Sequence, residues 1–274
     1  MTAQSLKLAG RVAIVTGAAR GIGRSVVQKL ANEGAQVIAN DLDAALLAEG
    51  VDKQTQQGLT VHALAGDITE QATAEALVST ALERYGDLHI VVNNAGILRD
   101  RMLVNMTEEE WDSVIAVHLK GTFAPARHAA SYWRAMSKQN DDGKPVMGRI
   151  INTSSTSGIY GNVGQTNYGA AKAGIAAFTI IAARELSRIG VTVNAISPTA
   201  YTRMTDNLRE YTEDEVAVRD PSWVSPTVVY LASEDAQDIT GRVIQAGAGR
   251  VAVCEGWRRG AEIDQMDDPG ALGP

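Results

Sequence analysis

Residues 11–23 read RVAIVTGAARGIG and combine a β-branched run, a glycine-rich turn and the start of a helical pattern. The run at 11–16 is typical of a buried parallel strand, and the helical pattern continues to about Glu33. Gly17, Gly21 and Gly23 let the backbone turn tightly and approach a phosphate, which a helix N-terminus attracts. The spacing is not the usual G-x-G-x-x-G, so an ordinary strand-to-helix turn remains the alternative to a phosphate-binding turn.

Strand-like and helix-like segments alternate along the rest of the chain. Further strands are predicted at 35–40, 59–64, 88–93, 148–153, 191–196 and 242–246, and helices at about 43–57, 70–85, 107–136, 165–188 and 223–233. This alternation predicts an α/β, single-domain Rossmann fold: a doubly wound parallel sheet of about seven strands with helices on both faces. We assign residues 1–274 to this one domain, with 198–221 as a mobile substrate-loop segment and 255–274 as a C-terminal tail.

The composition excludes several classes to which this protein could otherwise belong. The chain has 274 residues, of which 45% are hydrophobic and 21% charged, and its formal net charge is −7. This charge argues against a nucleic-acid partner, because phosphate contacts require clustered cations. The single cysteine, Cys254, cannot form an internal disulfide, which indicates a reducing compartment. Without an apolar run of about 18 residues or a secretory signal, we expect no membrane span and a cytoplasmic protein.

The stretch 151–174, INTSSTSGIYGNVGQTNYGAAKAG, carries the residues suited to chemistry. Tyr168 and Lys172 are four residues apart, so on a helix they share a face. An adjacent ammonium favours the phenolate and lowers the tyrosine pKa from about 10, which allows proton exchange with an alcohol. Ser155, thirteen residues upstream, would hold the reacting oxygen, and Ser154 is the alternative. Taken alone, Tyr-x-x-x-Lys is also compatible with an ordinary helix pair.

Acidic residues after the second and third strands bear on the cofactor. Asp41 ends the second strand, where a carboxylate hydrogen-bonds an adenosine ribose 2′-hydroxyl and repels a 2′-phosphate. Arg20 favours NADP instead, since it could pair with that phosphate. Asp43 is a second candidate for the contact with the ribose hydroxyl. We favour NAD over NADP. Asp67 follows the third strand and is either an adenine contact or a helix N-cap.

The chain resembles the short-chain dehydrogenase/reductase family over about residues 8–250. The resemblance rests on Thr16-Gly17-x-x-x-Gly21-Ile22-Gly23, Asn93-Asn94-Ala95-Gly96, Ser155, Tyr168-x-x-x-Lys172 and Asn194-x-x-Ser197-Pro198. It implies that Tyr168 is the general acid/base, that Lys172 tunes it and holds the nicotinamide ribose, and that Ser155 positions the substrate oxygen. The implied NAD-binding set is Gly17, Arg20, Gly21, Ile22, Gly23, Asp41, Asp67, Ile68, Asn94, Ala95, Gly96, Tyr168, Lys172, Pro198 and Thr202.

Two departures from the family pattern bear on the substrate. His118 stands where most members have a proton-relay asparagine, and a relay or a structural role is open to it. The segment 198–205 begins Pro-Thr, where Pro-Gly is usual. Both features resemble the dehydrogenase parts of the multifunctional enzymes of peroxisomal β-oxidation. This implies an NAD-dependent 3-hydroxyacyl-CoA dehydrogenase, with substrates that include bulky or steroid side chains.

Two other functions are compatible with the sequence. A hydroxysteroid or other ring-alcohol dehydrogenase is the second possibility, and a non-catalytic NAD-binding sensor is the third. A CoA substrate calls for cations near the entrance, for which the candidates are Arg99, Arg101, Arg203, Arg209 and Arg219. No metal site is expected. Family members associate through the helices at 107–136 and 165–188, so we expect a homo-oligomer, either a dimer or a tetramer.

Overall fold

The computed structural model describes residues 6–140, 145–202 and 211–256. Eight strands are present in these ranges: β1 Val12–Thr16, β2 Gln36–Asp41, β3 Val61–Ala65, β4 Ile90–Asn93, β5 Arg149–Thr153, β6 Thr192–Thr199, β7 Val243–Gly247 and β8 Arg250–Cys254. The α-helices are α1 Gly21–Asn32, α2 Ala44–Gln56, α3 Gln71–Tyr85, α4 Glu108–Ile115, α5 Gly121–Gln139, α6 Thr156–Tyr160, α7 Thr166–Leu186, α8 Glu213–Val218 and α9 Ser225–Ala232.

All strands join one sheet in the order β3-β2-β1-β4-β5-β6-β7-β8. Every pairing from β3 to β7 is parallel, and β8 pairs antiparallel with β7. The sequence prediction of a doubly wound α/β Rossmann fold is therefore confirmed. The count of about seven strands omits β8, which follows β7 through a tight turn with Ala248 and Gly249 at positive φ.

Helices cover both faces of the sheet because the central strands are buried throughout. Residues 12–16 of β1, 90–93 of β4 and 149–153 of β5 are all buried. One apolar core lies under α1, α2 and α9 and includes Leu30, Leu47 and Leu231. The second core lies under α3, α5 and α7 and includes Leu77 and Trp133. The two layers fix the sheet, and the sheet fixes the positions of the loops at its carboxyl edge.

Three segments differ from the sequence-based expectations. The predicted helix at 107–136 is divided, because a π-helical turn at Ala116–Lys120 separates α4 from α5. The loop expected after β5 contains the short helix α6. In the segment 198–221, residues 198–199 belong to β6 and 213–218 form α8, while 203–210, with Arg203 and Arg209, lie outside the described residues. The tail at 255–274 lies outside them from residue 257 onward.

A capping box marks the start of the helical region predicted at 107–136. The Thr107 side chain accepts from the Glu110 backbone N–H, and the Glu110 carboxylate accepts from the Thr107 N–H. None of the helices in the described ranges is long and apolar enough to cross a membrane.

Candidate active site

The strand order reverses between β1 and β4, and the carboxyl ends of these strands border a large cavity. Open α/β sheets bind nucleotides in the crevice at such a switch point. The cavity has a volume of about 1220 Å³. Every residue predicted to contact the cofactor lines it: Gly17, Arg20, Gly21, Ile22, Gly23, Asp41, Asp67, Ile68, Asn94, Ala95, Gly96, Tyr168, Lys172, Pro198 and Thr202. The fold thus brings residues from distant parts of the chain to one crevice.

The glycine turn after β1 has a shape that only glycine permits. Gly17 and Gly21 adopt φ of 65° and 54°, in the left-handed region. A Cβ on Gly23 would lie 2.0 Å from the Gly17 carbonyl oxygen, and one on Gly17 would lie 2.7 Å from Ala95 Cα. The turn therefore presents bare backbone to the cavity at the start of α1. Such a cradle fits the pyrophosphate of a dinucleotide.

The loop after β4 is tied to this turn. The Thr16 hydroxyl accepts from the backbone N–H groups of Asn94 and Ala95 at 3.0 and 3.1 Å. The Asn94 amide donates to the carbonyls of Thr16 and Gly17, both at 3.1 Å. Asn94 therefore also has a structural role, because it holds β1 and β4 together at the switch point.

The carboxylates after β2 and β3 already have backbone partners. Asp41 accepts from the Ala19 N–H at 2.9 Å and from the Asp43 N–H at 3.1 Å. Arg20 forms an ion pair with Asp43 at 3.0 Å. Asp67 accepts from the Thr69 N–H, but α3 begins at Gln71 with Glu70 in the N-cap position. The N-cap alternative for Asp67 is therefore wrong.

Tyr168 and Lys172 project from the first turns of α7 toward the cavity, as their spacing predicts. The Lys172 Nζ lies 5.5 Å from the centre of the Tyr168 ring. It also donates to the Thr153 carbonyl at the end of β5, at 2.6 Å. Lys172 is almost fully buried, at 2% exposure. The ammonium is consequently held between the sheet edge and the phenol.

Burial sets the pKa values of this pair. It lowers the pKa of Lys172 to about 7, because the charged form loses its hydration. It also raises the pKa of Tyr168, an effect that the negative charge of Asp100 strengthens and the hydrogen bond with Ser155 opposes. The expectation that Lys172 lowers the tyrosine pKa is not met in this structure. The reason is that the lysine itself is desolvated and the phenolate has little water around it.

The structure distinguishes the two neighbouring serines. The Ser155 hydroxyl lies close enough to Tyr168 to lower its pKa, and the Ser155 Oγ accepts from the Ser157 N–H at 3.2 Å. Ser154 is completely buried, and its hydroxyl donates to the Lys172 carbonyl at 2.9 Å. Ser155 and Tyr168 both line a second, smaller cavity of about 250 Å³. Of the two serines, Ser155 is therefore the one that lines a cavity, whereas Ser154 is enclosed in the protein.

His118 lies in the π-helical turn beneath the site. Its ring packs edge-on against Tyr168, with centroids 5.1 Å apart, and its Nε2 lies 2.7 Å from the Ile97 carbonyl oxygen. Its Nδ1 is buried and has no hydrogen-bond partner in the described part of the chain. Burial, together with the Lys172 charge, lowers the pKa of His118 to about 3. The imidazole is thus neutral at physiological pH. It also occupies the space that a Cβ on Gly96 would need.

Several side chains that support the site were not predicted from the sequence. Gln165 is buried and joins Asp100 to Ser157 through hydrogen bonds. The Asn167 amide donates to the carbonyls of Arg99 and Glu110. Only their position shortly before Tyr168, at the start of α7, marked them, and spacing alone does not reveal such tertiary partners.

Comparison with known proteins identifies the family. A family model described as short chain dehydrogenase matches residues 11–215. The chain belongs to the short-chain dehydrogenase family and is an oxidoreductase that acts on a small molecule with a nicotinamide dinucleotide, NAD or NADP.

Among its relatives, the chain is 47% identical over 251 residues to hydroxyacyl-CoA dehydrogenase ChsB1 of Mycobacterium tuberculosis, covering 88% of this chain and 78% of the relative. It is 38% identical to peroxisomal multifunctional enzyme type 2 of Mus musculus, covering 97% of this chain and 36% of that enzyme. It is 37% identical to a 3-oxoacyl-[acyl-carrier-protein] reductase of Thermotoga maritima, covering 90% of this chain and all of the reductase.

A solved structure of a short chain dehydrogenase from Mycobacterium avium is also similar. It is 48% identical in sequence and has a TM-score of 0.88, covering 97% of this chain and 93% of that one. The chain spans only about a third of the multifunctional relative, but most or all of the others. The resemblance found in the sequence motifs is confirmed.

Proposed function

We propose that this chain is an NAD-dependent dehydrogenase that interconverts a secondary alcohol and a ketone, with a 3-hydroxyacyl-CoA as its substrate. The observation that carries the proposal is the position of Tyr168. Its side chain lines both the large cavity of the glycine turn and the smaller cavity beside Ser155. A dinucleotide in the first cavity and an alcohol in the second would therefore meet at the phenol.

The residues around Tyr168 supply the proton chemistry in this proposal. Ser155 hydrogen-bonds the substrate oxygen, and Tyr168 takes the hydroxyl proton during oxidation or returns it during reduction. In its protonated form, Lys172 provides a positive charge that opposes the effect of burial on Tyr168 and so favours the phenolate. When bound, NAD supplies the hydride acceptor. The proton and the hydride together account for the two hydrogens that the alcohol loses.

His118 is proposed to continue the proton path from Lys172. Its ring lies against Tyr168, and its Nδ1 is free to accept a hydrogen bond in the described part of the chain. Because its pKa is about 3, it would pass a proton as a neutral ring rather than as a stored imidazolium.

NAD is favoured over NADP by the charges at the adenosine end of the cavity. Asp41 lies at the end of β2, where its carboxylate would accept from a ribose 2′-hydroxyl and repel a phosphate. Arg20, the cation that would suit a 2′-phosphate, is already paired with Asp43 at 3.0 Å.

Acyl-CoA is favoured as the substrate by the name of one relative and by the position of one arginine. The Mycobacterium tuberculosis relative is named a hydroxyacyl-CoA dehydrogenase. Of the candidate cations described here, Arg101 pairs with Glu110 and Arg219 with Glu215. Arg99 is exposed, lines the large cavity and has no acidic partner among the described residues. It is the cation that we propose for the CoA phosphates.

The second candidate is reduction of the 3-oxo group of an acyl chain held on a carrier protein, as the name of the relative from Thermotoga maritima suggests. A hydroxysteroid or ring alcohol is the third, and a cofactor-binding sensor without activity is the last. The segment 198–221 is proposed to cover the substrate in each case. Its described parts support this, because Pro198, Ala200, Tyr211 and Arg219 line the smaller cavity.

The test is the initial rate of NADH formation with a panel of alcohols. The panel contains linear 3-hydroxyacyl-CoA esters, a steroid-side-chain 3-hydroxyacyl-CoA and free hydroxysteroids, with a 3-oxoacyl carrier protein assayed in reverse. We expect the fastest rates with a CoA ester, and Arg99→Ala should raise the KM of that ester alone. Fastest turnover of free steroids or of the carrier protein would reject the CoA assignment, and turnover of none would favour a sensor.

A homo-oligomer is proposed as the assembled state. Phe123 on α5 and Ile181 on α7 are 42% and 56% exposed, so these helices present apolar side chains to a partner copy. Sedimentation should give a species heavier than the 29.0 kDa chain, and a pure 29.0 kDa species would reject the assembly.

A further inference from the structure

A line of hydrogen bonds runs from the loop after β4 to Ser155. It has no part in the proton transfer proposed for Tyr168. The Gln165 Nε2 donates to the Asp100 carboxylate at 2.7 Å. The Gln165 Oε1 accepts from the Ser157 hydroxyl at 2.7 Å and from the Asn162 amide at 3.0 Å. The Ser157 backbone N–H donates in turn to the Ser155 Oγ at 3.2 Å.

The chemistry of these groups determines which of them donates and which accepts in each hydrogen bond of the line. An ionised carboxylate only accepts hydrogen bonds, so the NH₂ group of Gln165 must face Asp100 and its oxygen must face Ser157. The Ser157 hydroxyl must therefore donate. Its backbone N–H occupies one acceptor position on the Ser155 oxygen. What remains on Ser155 is one donor proton and one lone pair, which suit Tyr168 and a substrate oxygen.

The loop that carries Asp100 is fixed on both sides of this contact. The Arg101 N–H donates to the Gly164 carbonyl at 2.8 Å, and the Asn167 amide donates to the Arg99 carbonyl at 2.9 Å. These bonds hold the backbone next to Asp100 against the residues that flank Gln165. Gln165 is 6% exposed, so its amide is largely shielded from competing water.

We propose that Gln165, anchored by Asp100, is a positioning residue: it holds Ser157 so that Ser155 presents its hydroxyl to the substrate oxygen beside Tyr168. This inference rests on the proposed function, because Ser155 needs orientation only if it holds a reacting oxygen. Gln165 acts through Ser157 and Ser155, and it leaves the glycine turn and the adenosine end of the cavity unchanged.

Substitutions along the line should lower the rate more than they weaken cofactor binding. Gln165→Leu and Asp100→Ala should each lower kcat by ~10- to 100-fold, since misplacing a reacting group by about 1 Å costs that much. The KM for NAD should change by less than ~2-fold in both, because the pyrophosphate cradle is untouched. Asp100→Asn keeps an acceptor for the Gln165 amide and should restore kcat to within ~3-fold of the unmodified enzyme.

The pH profile separates positioning from a merely structural role. The Asp100 charge raises the pKa of Tyr168, so Asp100→Asn should move the rising limb of kcat/KM for oxidation to lower pH. The Ser155 hydrogen bond lowers that pKa, so Gln165→Leu, which releases Ser155, should move the limb to higher pH. The other ionisable groups beside the phenol, Lys172 and His118, are the same in both variants.

The experiment compares these variants with Tyr168→Phe, using NAD and 3-hydroxybutyryl-CoA. Opposite shifts of the limb, with loss of kcat in Gln165→Leu, support the inference. If Tyr168→Phe is inactive while Gln165→Leu keeps the unmodified rate and profile, positioning by Gln165 is overturned and the proposed function stands. If Tyr168→Phe is fully active, the proposed function itself fails.

A second measurement needs no substrate. Hydrogen exchange of the Ser157 N–H reports its bond to Ser155 directly, and we expect at least ~5-fold faster exchange in Asp100→Ala and Gln165→Leu than in the unmodified protein. Unchanged exchange in both variants would overturn the inference even if 3-hydroxybutyryl-CoA is not turned over.

Discussion

Lys172 is a cation held almost without water. Its ammonium has one backbone acceptor, the Thr153 carbonyl, and lies over the ring of Tyr168. Burial therefore lowers the lysine pKa from 10.5 to about 7. This placement suits a charge that acts on one neighbouring phenol, and it destabilises the cofactor-free protein.

Lys172→Met should therefore stabilise the cofactor-free protein near pH 7 while abolishing activity. The unfolded lysine binds a proton up to pH 10.5, whereas the folded one releases it above about pH 7. Between pH 7 and pH 10.5, Lys172 therefore makes the free energy of unfolding of the unmodified protein increase by up to ~1.4 kcal/mol per pH unit. The advantage of Lys172→Met should shrink as the pH rises from 7 to 10. Urea unfolding of both proteins measures it, and a constant difference would contradict the assigned pKa.

We expect the choice of cofactor to depend on Asp41 and Asp43 at the end of β2 and on Arg20 in the glycine turn. Asp41→Asn combined with Asp43→Asn removes both charges, keeps an oxygen acceptor at each position and frees Arg20 from its ion pair. We expect the ratio of kcat/KM for NAD to that for NADP to fall at least ~10-fold, equivalent to about 1.4 kcal/mol. Steady-state rates with each cofactor provide the measurement. An unchanged ratio would mean that neither carboxylate contacts the ribose 2′-hydroxyl.

What the sequence could predict at this scale follows from local geometry. Helical spacing alone puts Tyr168 and Lys172 on one face of α7. The choice between Ser154 and Ser155 needs the tertiary contacts of β5, because both follow the same strand. The pKa of Tyr168 was predicted to be lowered, whereas it is raised in the structure, because spacing shows the nearby charge but not the loss of water.

Among the elements, those set by a strong periodic pattern were predictable and those set by packing were not. The β1 strand, the glycine turn and α1 lie where the residues 11–33 indicate. The π-helical turn at Ala116–Lys120 was hidden in a continuous helical pattern, although it determines where His118 points. The β8 strand was not predicted; it is exposed over most of its length, and its place in the sheet comes from antiparallel pairing with β7.

The glycine turn makes a prediction about backbone contact. Gly23→Ala would place a Cβ 2.0 Å from the Gly17 carbonyl oxygen, so it should destabilise the protein by at least ~2 kcal/mol and weaken NAD binding. The matched control is Gly50→Ala in α2, whose Cβ would meet only Arg24 at ordinary contact distance. That control should be neutral or stabilising by ~0.5–1 kcal/mol. Thermal unfolding and NAD titration compare the two, and equal stabilities would contradict the crowding at Gly23.

For the whole molecule, the strand order explains why distant motifs converge. The reversal between β1 and β4 opens the crevice, and β5 and β6 carry Ser155 and Pro198 to its other side. The residues 11–23 lie some 150 positions from Tyr168, and only the parallel sheet brings them to one cavity. The family resemblance anticipated this convergence, but residue spacing alone could not measure it.

The central claim is that Tyr168, which lines both cavities, exchanges the proton of the substrate hydroxyl. The most direct measurement is NADH formation by Tyr168→Phe beside the unmodified enzyme, on the panel alcohol that the latter oxidises fastest. Phenylalanine keeps the ring against His118 and removes only the hydroxyl. We predict that kcat falls by ~10²- to 10⁴-fold while NAD binding and thermal stability stay close to those of the unmodified enzyme. A kcat within ~3-fold of the unmodified value would contradict the account.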